Sequence, residues 1–166
     1  MAKGEMMRRI LFVLMLLVPF AGRAETPEEW VKLGERVHGG FGAFLPVGIR
    51  IGLDALERLG AKPREVSVVY YDGENAPCPC IADGIMLATV ASPGQKTLRI
   101  ATEKAPAGLL GVAVVSHRKT GKSVRYEIPA SLLPKLGAWN KALDPRGRYD
   151  AVMQAPVAEL FSAKFQ

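Results

Sequence analysis

The sequence predicts an α+β domain with one mostly antiparallel sheet of about four strands, packed by helices. Three observations carry this. Two early stretches have helical apolar spacing and end at glycine. Four short runs rich in β-branched and aromatic residues follow. The last two of these are joined by Lys119-Thr120-Gly121-Lys122, a tight turn of the hairpin kind. The chain has 166 residues, 49% of them hydrophobic and 23% charged, which is one core's worth of nonpolar material and excludes a disordered polymer. No internal repeat, low-complexity tract or linker divides it.

Taken in order, Thr26-Pro27-Glu28-Glu29 is a helix start. Thr26 caps, Pro27 suits the first helical position and Glu29 completes a capping box. Trp30, Leu33 and Val37 share a face, and the helix reaches His38 before Gly39-Gly40 stops it. Residues 39–44, GGFGAF, form a glycine-rich loop. A second helix is expected from about Pro46 to Leu59. Arg50, Asp54, Glu57 and Arg58 recur at helical spacing there, and Gly60 sits where a C-cap glycine belongs. Gly48 and Gly52 lie four apart, so another backbone can come close. This helix is apolar around most of its girth and is expected to be central.

Glu65 to Tyr71 reads as a strand, and Asp72-Gly73-Glu74-Asn75 as a turn. Ile81 to Ala91 reads as a helix ended by Ser92-Pro93-Gly94. Lys96–Thr102, Gly111–His117 and Ser123–Ile128 read as three further strands. Pro129–Leu136 is expected to be a short helix. Pro156 opens a last one, with Val157, Leu160 and Phe161 on one side.

The N-terminus follows a different logic. Lys3, Arg8 and Arg9 make a basic region, Ile10 to Phe20 is an apolar run, and Gly22 and Ala24 place small residues before a cut after Ala24. The run is far shorter than the ~20 residues that span a bilayer. The expectation is a signal peptide over residues 1–24 and a single domain over 25–166. The product would be periplasmic or secreted, and not embedded in a membrane once cut. Without residues 1–24 the chain loses Lys3, Arg8, Arg9, Arg23 and Glu5, and the formal charge falls from +6 to +3. The basic residues that remain are scattered, apart from His117, Arg118, Lys119 and Lys122, and no aromatics interleave with them. A nucleic-acid partner is not expected. An unknown small molecule or protein is, and the glycine face of the central helix suits a homodimer.

Two motif-like segments carry no function. Residues 120–123, TGKS, resemble the end of a phosphate loop, but Ser116 stands where its first glycine belongs. The GGFG loop follows a helix, whereas a dinucleotide fingerprint follows a strand. The informative stretch is Cys78-Pro79-Cys80-Ile81-Ala82-Asp83-Gly84. Cys80 falls at a helix N-terminus, where the helix dipole favours thiolate. Asp83 lies one turn on, on the same face. His38, at the exit of the first helix, is the natural imidazole partner. A nitrogen–sulfur–oxygen set of this kind suits Zn²⁺ and leaves a position open. Two other readings stand beside it. Cys78 and Cys80 can form a disulfide across one residue, a strained ring of the redox-active kind. Alternatively both are small core residues and His38 only ends its helix. No Ser-His-Asp set, paired glutamates or cofactor fingerprint marks an enzyme.

The segments HGGFGAFLPVGIRIGLDALERLG and PCPCIADGIMLATVASPGQKTLRI resemble the FmdE-type domain associated with formylmethanofuran dehydrogenase, over roughly residues 30–130. In that family an H-G-H-x-[GC]-P motif opens a helix rich in glycine and leucine, and a Cys-x-x-Asp-Gly-Ile segment begins a second one. His38 matches the first histidine, Cys80 the cysteine, and Asp83-Gly84-Ile85 follow in step. Gly40 stands at the second histidine, Ala43 at the motif proline, and Val90-Ala91 at a later Gly-Cys. Cys78 is an addition. The resemblance implies a zinc-binding accessory domain without the catalysis of the complex. Its metal residues would be His38 and Cys80, with Cys78 or Asp83 completing the set or supporting it. A redox protein using Cys78 and Cys80, or a degenerate member serving as a binding module, are the alternatives.

Overall fold

The computed structural model describes residues 25–166. The basic region, apolar run and cut expected in residues 1–24 lie outside the described residues. Helix α1 (Pro27–His38) has the expected capping box: the Glu29 amide donates to Thr26 Oγ1, and the Thr26 amide to the Glu29 carboxylate. Gly39, at φ 87°, ends it. Helix α2 (Phe44–Leu59) begins two residues earlier than expected and stops at Gly60, φ 59°. Strand β1 (Val66–Asp72) leads through a loop to α3 (Cys80–Thr89). α3 starts at the cysteine itself and does not reach Ala91. Val90 adopts φ 56°, a left-handed conformation that closes the helix.

The sheet has five strands in the order β2-β1-β3-β4-β5, with β2 (Leu98–Ile100), β3 (Leu109–His117), β4 (Ser123–Pro129) and β5 (Ser162–Phe165). The fold is α+β, as expected, but the count of about four strands is corrected to five, and the sheet is mixed. β1 and β2 run parallel because α3 carries the chain between them, whereas β1/β3, β3/β4 and β4/β5 are antiparallel. β2 is shorter than Lys96–Thr102. Lys96 has φ 57°, and the Thr97 amide bonds back to the Ser92 carbonyl, so the approach to the strand is a turn.

Beyond β4 the expected single short helix is a 3₁₀ turn (Ala130–Leu132) followed by α4 (Leu133–Ala142). Helix α5 (Pro145–Gln154) is new. Its start is well signalled, since Asp144 accepts from the Gly147 amide at 2.7 Å. Its apolar stripe is thin, with only Tyr149 and Val152 buried. Pro156 precedes a four-residue helix α6 (Val157–Leu160) as expected. No helix among the described residues is long and apolar enough to cross a membrane.

α2 is the central element. Ile49, Ile51 and Ala55 are fully buried, as are Val66, Tyr70, Ala113, Val115, Val124, Tyr126 and Ile128 of the sheet. The Tyr126 hydroxyl donates to Asp54 at 2.7 Å, and Arg58 Nε donates to the same oxygen at 2.6 Å, so a buried phenol of the sheet is tied to the rim of α2. At the far side Arg50 donates to the carbonyls of Val152 and Ala155, satisfying the end of α5.

The tightest contact is between α2 and α3. A Cβ on Gly48 would lie 2.0 Å from the Ile81 carbonyl oxygen, and one on Gly84 would lie 2.1 Å from that of Leu45. The glycine spacing read from the sequence is met by a glycine on the partner helix. Both obstacles are backbone, so neither helix can yield alone. Gly48→Ala or Gly84→Ala is expected to destabilise by roughly 3 kcal/mol or more in urea unfolding. Gly137→Ala, in α4 with nothing near the new methyl, should instead gain about 0.5–1 kcal/mol. Equal effects at all three positions would contradict the packing argument.

Candidate functional site

The site is assembled where the C-terminus of α1 meets the N-terminus of α3. The α2–α3 crossing fixes α3, and α1 is fixed by Trp30 and Gly34, the latter covered by the Phe41 ring. The loop after His38 is latched from the C-terminal helices. Arg148 donates to the carbonyls of Phe41 and Asn140, and the Asn140 side chain accepts from the Ala43 amide at 2.7 Å. His38 is thereby held against the first turn of α3.

There His38 Nδ1 lies 2.7 Å from Asp83 Oδ2. A carboxylate only accepts, so Nδ1 carries the hydrogen and Nε2 keeps its lone pair. The side chains are 28% and 38% exposed. A pair this open to water adds little to stability. Its effect is orientation: one imidazole tautomer is selected and the ring is aimed.

One turn before Asp83, Cys80 begins α3, and it is nearly buried. Cys78 is half-buried in the preceding loop and packs against the core. The two are joined as a disulfide with their Cα atoms 5.3 Å apart, so neither is a free thiol. The loop that carries Cys78 is also held independently. The Gly73 amide donates to the Leu110 carbonyl, and a Cβ on Gly73 would strike Leu109 O at 2.4 Å.

The four residues singled out in the sequence therefore fall into two pairs on one helix start: His38 with Asp83, and Cys78 with Cys80. A disulfide sulfur is not a thiolate ligand. In this oxidised state His38 Nε2 is the one nitrogen lone pair that the arrangement leaves for a metal. Among the described residues no group of three or more His, Cys, Asp or Glu is poised to hold one.

A neighbouring feature has little signature in the sequence. At the end of β1, Tyr70 is fully buried with no partner for its hydroxyl, and Asp72 has one buried, unpartnered oxygen. Burial pushes both groups up from their ordinary pKa values. For Asp72 burial outweighs the attraction of Lys104, whose Nζ is 3.9 Å away. Beside them opens a cleft of about 620 Å³ lined by Glu74, Asn75, Lys104 and the 105–109 turn. Asp72 is the last residue of β1 rather than the first of a turn. The signal for this is its period-2 alignment with buried Val68 and Tyr70.

Because the folded protein holds the Asp72 proton to higher pH than the unfolded chain does, this group's contribution is full below the ordinary carboxylate range. It is lost as pH rises through the folded value. Asp72→Asn should therefore raise the melting temperature at neutral pH, by an amount that shrinks as pH falls. A gain that grows toward acid would contradict this.

None of the curated proteins matches the chain. The sequence profile described as "FmdE, Molybdenum formylmethanofuran dehydrogenase operon" matches residues 37–162, which takes in His38, both cysteines, Asp83 and nearly all of the sheet. With most of its length covered in that match, the chain belongs to the FmdE family.

Proposed function

We propose that this chain is an exported FmdE-family domain that binds a transition-metal ion, zinc by the character of its donors, and serves a binding rather than a catalytic role. The observation that carries the reading is the 2.7 Å contact of His38 Nδ1 with Asp83. It is the arrangement in which a carboxylate steadies a metal-binding imidazole, and it leaves Nε2 as the coordinating atom. Asp83 is then a supporting group and not a ligand.

The sulfur donors come from the reduced state. With the Cys78–Cys80 bond opened, thiolates at the start of α3 stand one turn from the residue that holds His38. One nitrogen and two sulfurs suit Zn²⁺, with a fourth position left for water or a small ligand. The exported location rests on the n-region, apolar run and small-residue cut of residues 1–24.

The test is metal analysis of residues 25–166, stripped with chelator, reduced, and then dialysed against zinc. About one zinc per chain is expected. His38→Ala and Cys80→Ser should each abolish it, and Asp83→Asn should weaken affinity roughly 10–100-fold. The oxidised chain should take up far less. Substoichiometric metal in the reduced wild type, unchanged in the variants, would end the proposal. Circular dichroism of each variant separates loss of a ligand from loss of fold.

A further inference from the structure

We infer that the Cys78–Cys80 pair is an exchangeable dithiol–disulfide couple whose substrates are thiols, either low-molecular-weight thiols or paired cysteines on an extended polypeptide. Four observations support an exchangeable bond over a structural one. The bond closes a loop of sequence separation 2, so it removes little freedom from the unfolded chain, and a cross-link of that span is a poor staple. The elements around it are held by other means. The Gly73–Leu110 hydrogen bond ties the loop, and the Gly48–Gly84 contact seats α3, so opening the bond leaves the fold in place. The two sulfur-bearing residues differ in access, Cys78 half-buried in a loop and Cys80 nearly buried on a helix. Finally, Cys80 occupies the first position of α3, where the helix dipole meets negative charge.

These features assign the steps. A substrate thiolate attacks Cys78 Sγ. A new S–S bond forms to the substrate, the Cys78–Cys80 bond breaks, and its electron pair leaves with Cys80 at the helix start. A second substrate thiolate then attacks the substrate's own sulfur in the mixed disulfide, and Cys78 departs as thiolate. The substrate dithiol is oxidised by two electrons, the protein pair is reduced, and the two substrate protons end on Cys78 and Cys80. A disulfide such as oxidised glutathione reverses the sequence.

This inference concerns the same cysteines as the metal proposal but does not depend on it, because the experiment is run with chelator present. Oxidised residues 25–166 are treated with reduced glutathione, or with a peptide bearing two reduced cysteines. Thiols are counted by alkylation and mass, and the fold is followed by circular dichroism. The expected result is no thiol before treatment and two after it, with an unchanged spectrum. Faster reduction by one probe identifies the substrate source. In Cys80→Ser, oxidised glutathione should form one mixed disulfide at Cys78. In Cys78→Ser, Cys80 should react about tenfold more slowly or less. The inference is overturned if two thiols are present from the start under air, if reduction requires denaturant, or if the two single variants react equally fast.

Discussion

Where α2 crosses α3, backbone meets backbone. Gly48 and Gly84 leave no room for a methyl on either side, and Gly52 continues the contact against Ala88. Approach this close gives dispersion contact along much of both helices and fixes their relative position. It also sets where α3 begins. Since α3 begins at Cys80 and carries Asp83 in its first turn, the helix contact determines where a sulfur and a carboxylate stand. The site is a consequence of packing in the core and not of a loop free to adjust.

The imidazole is placed by a second, polar constraint. α1 ends in glycines, and an unrestrained exit there would leave His38 free to swing. Arg148 and Asn140, far along the chain, bind the carbonyl of Phe41 and the amide of Ala43 on the far side of those glycines. Hydrogen bonds to half-buried guanidinium and amide groups are directional, so they hold a loop that has no apolar stripe of its own. The C-terminal helices thus contribute to a site none of whose candidate residues they carry.

Much of this is legible in the sequence, and the reasons are local. Thr26 to Glu29, Gly39, Gly60 and the turn before Gly121 are short-range signals whose physics needs no tertiary context. The Gly48/Gly52 pair announces a close approach but not its partner, because Gly84 lies beyond a strand and a loop. β5 is not legible, since Ser-Ala-Lys-Phe has almost no strand propensity; it is a strand because its main chain pairs with β4. α5 is not legible despite Asp144-Pro145, because two buried residues make no readable period. In the site, the residue types are legible and the pairing is not. That His38 meets Asp83 depends on the angle between α1 and α3. That Asp72 and Tyr70 are orphaned under the sheet's end depends on what covers them.

The cysteine pair gives the site a choice that the histidine pair does not have. Each sulfur has one role at a time: bonded to the other sulfur it is lost to a metal, and bonded to a metal it is shielded from oxidation. His38 and Asp83, by contrast, keep their contact without drawing on either sulfur. If the dithiol takes up zinc, the bound metal stabilises the reduced form in proportion to its affinity, and an oxidant must work against that affinity to close the disulfide. Metal occupancy and redox state are then two readings of one equilibrium. Placing that equilibrium on the first turn of a helix seated by glycines means it can shift while the core beneath it stays as it is.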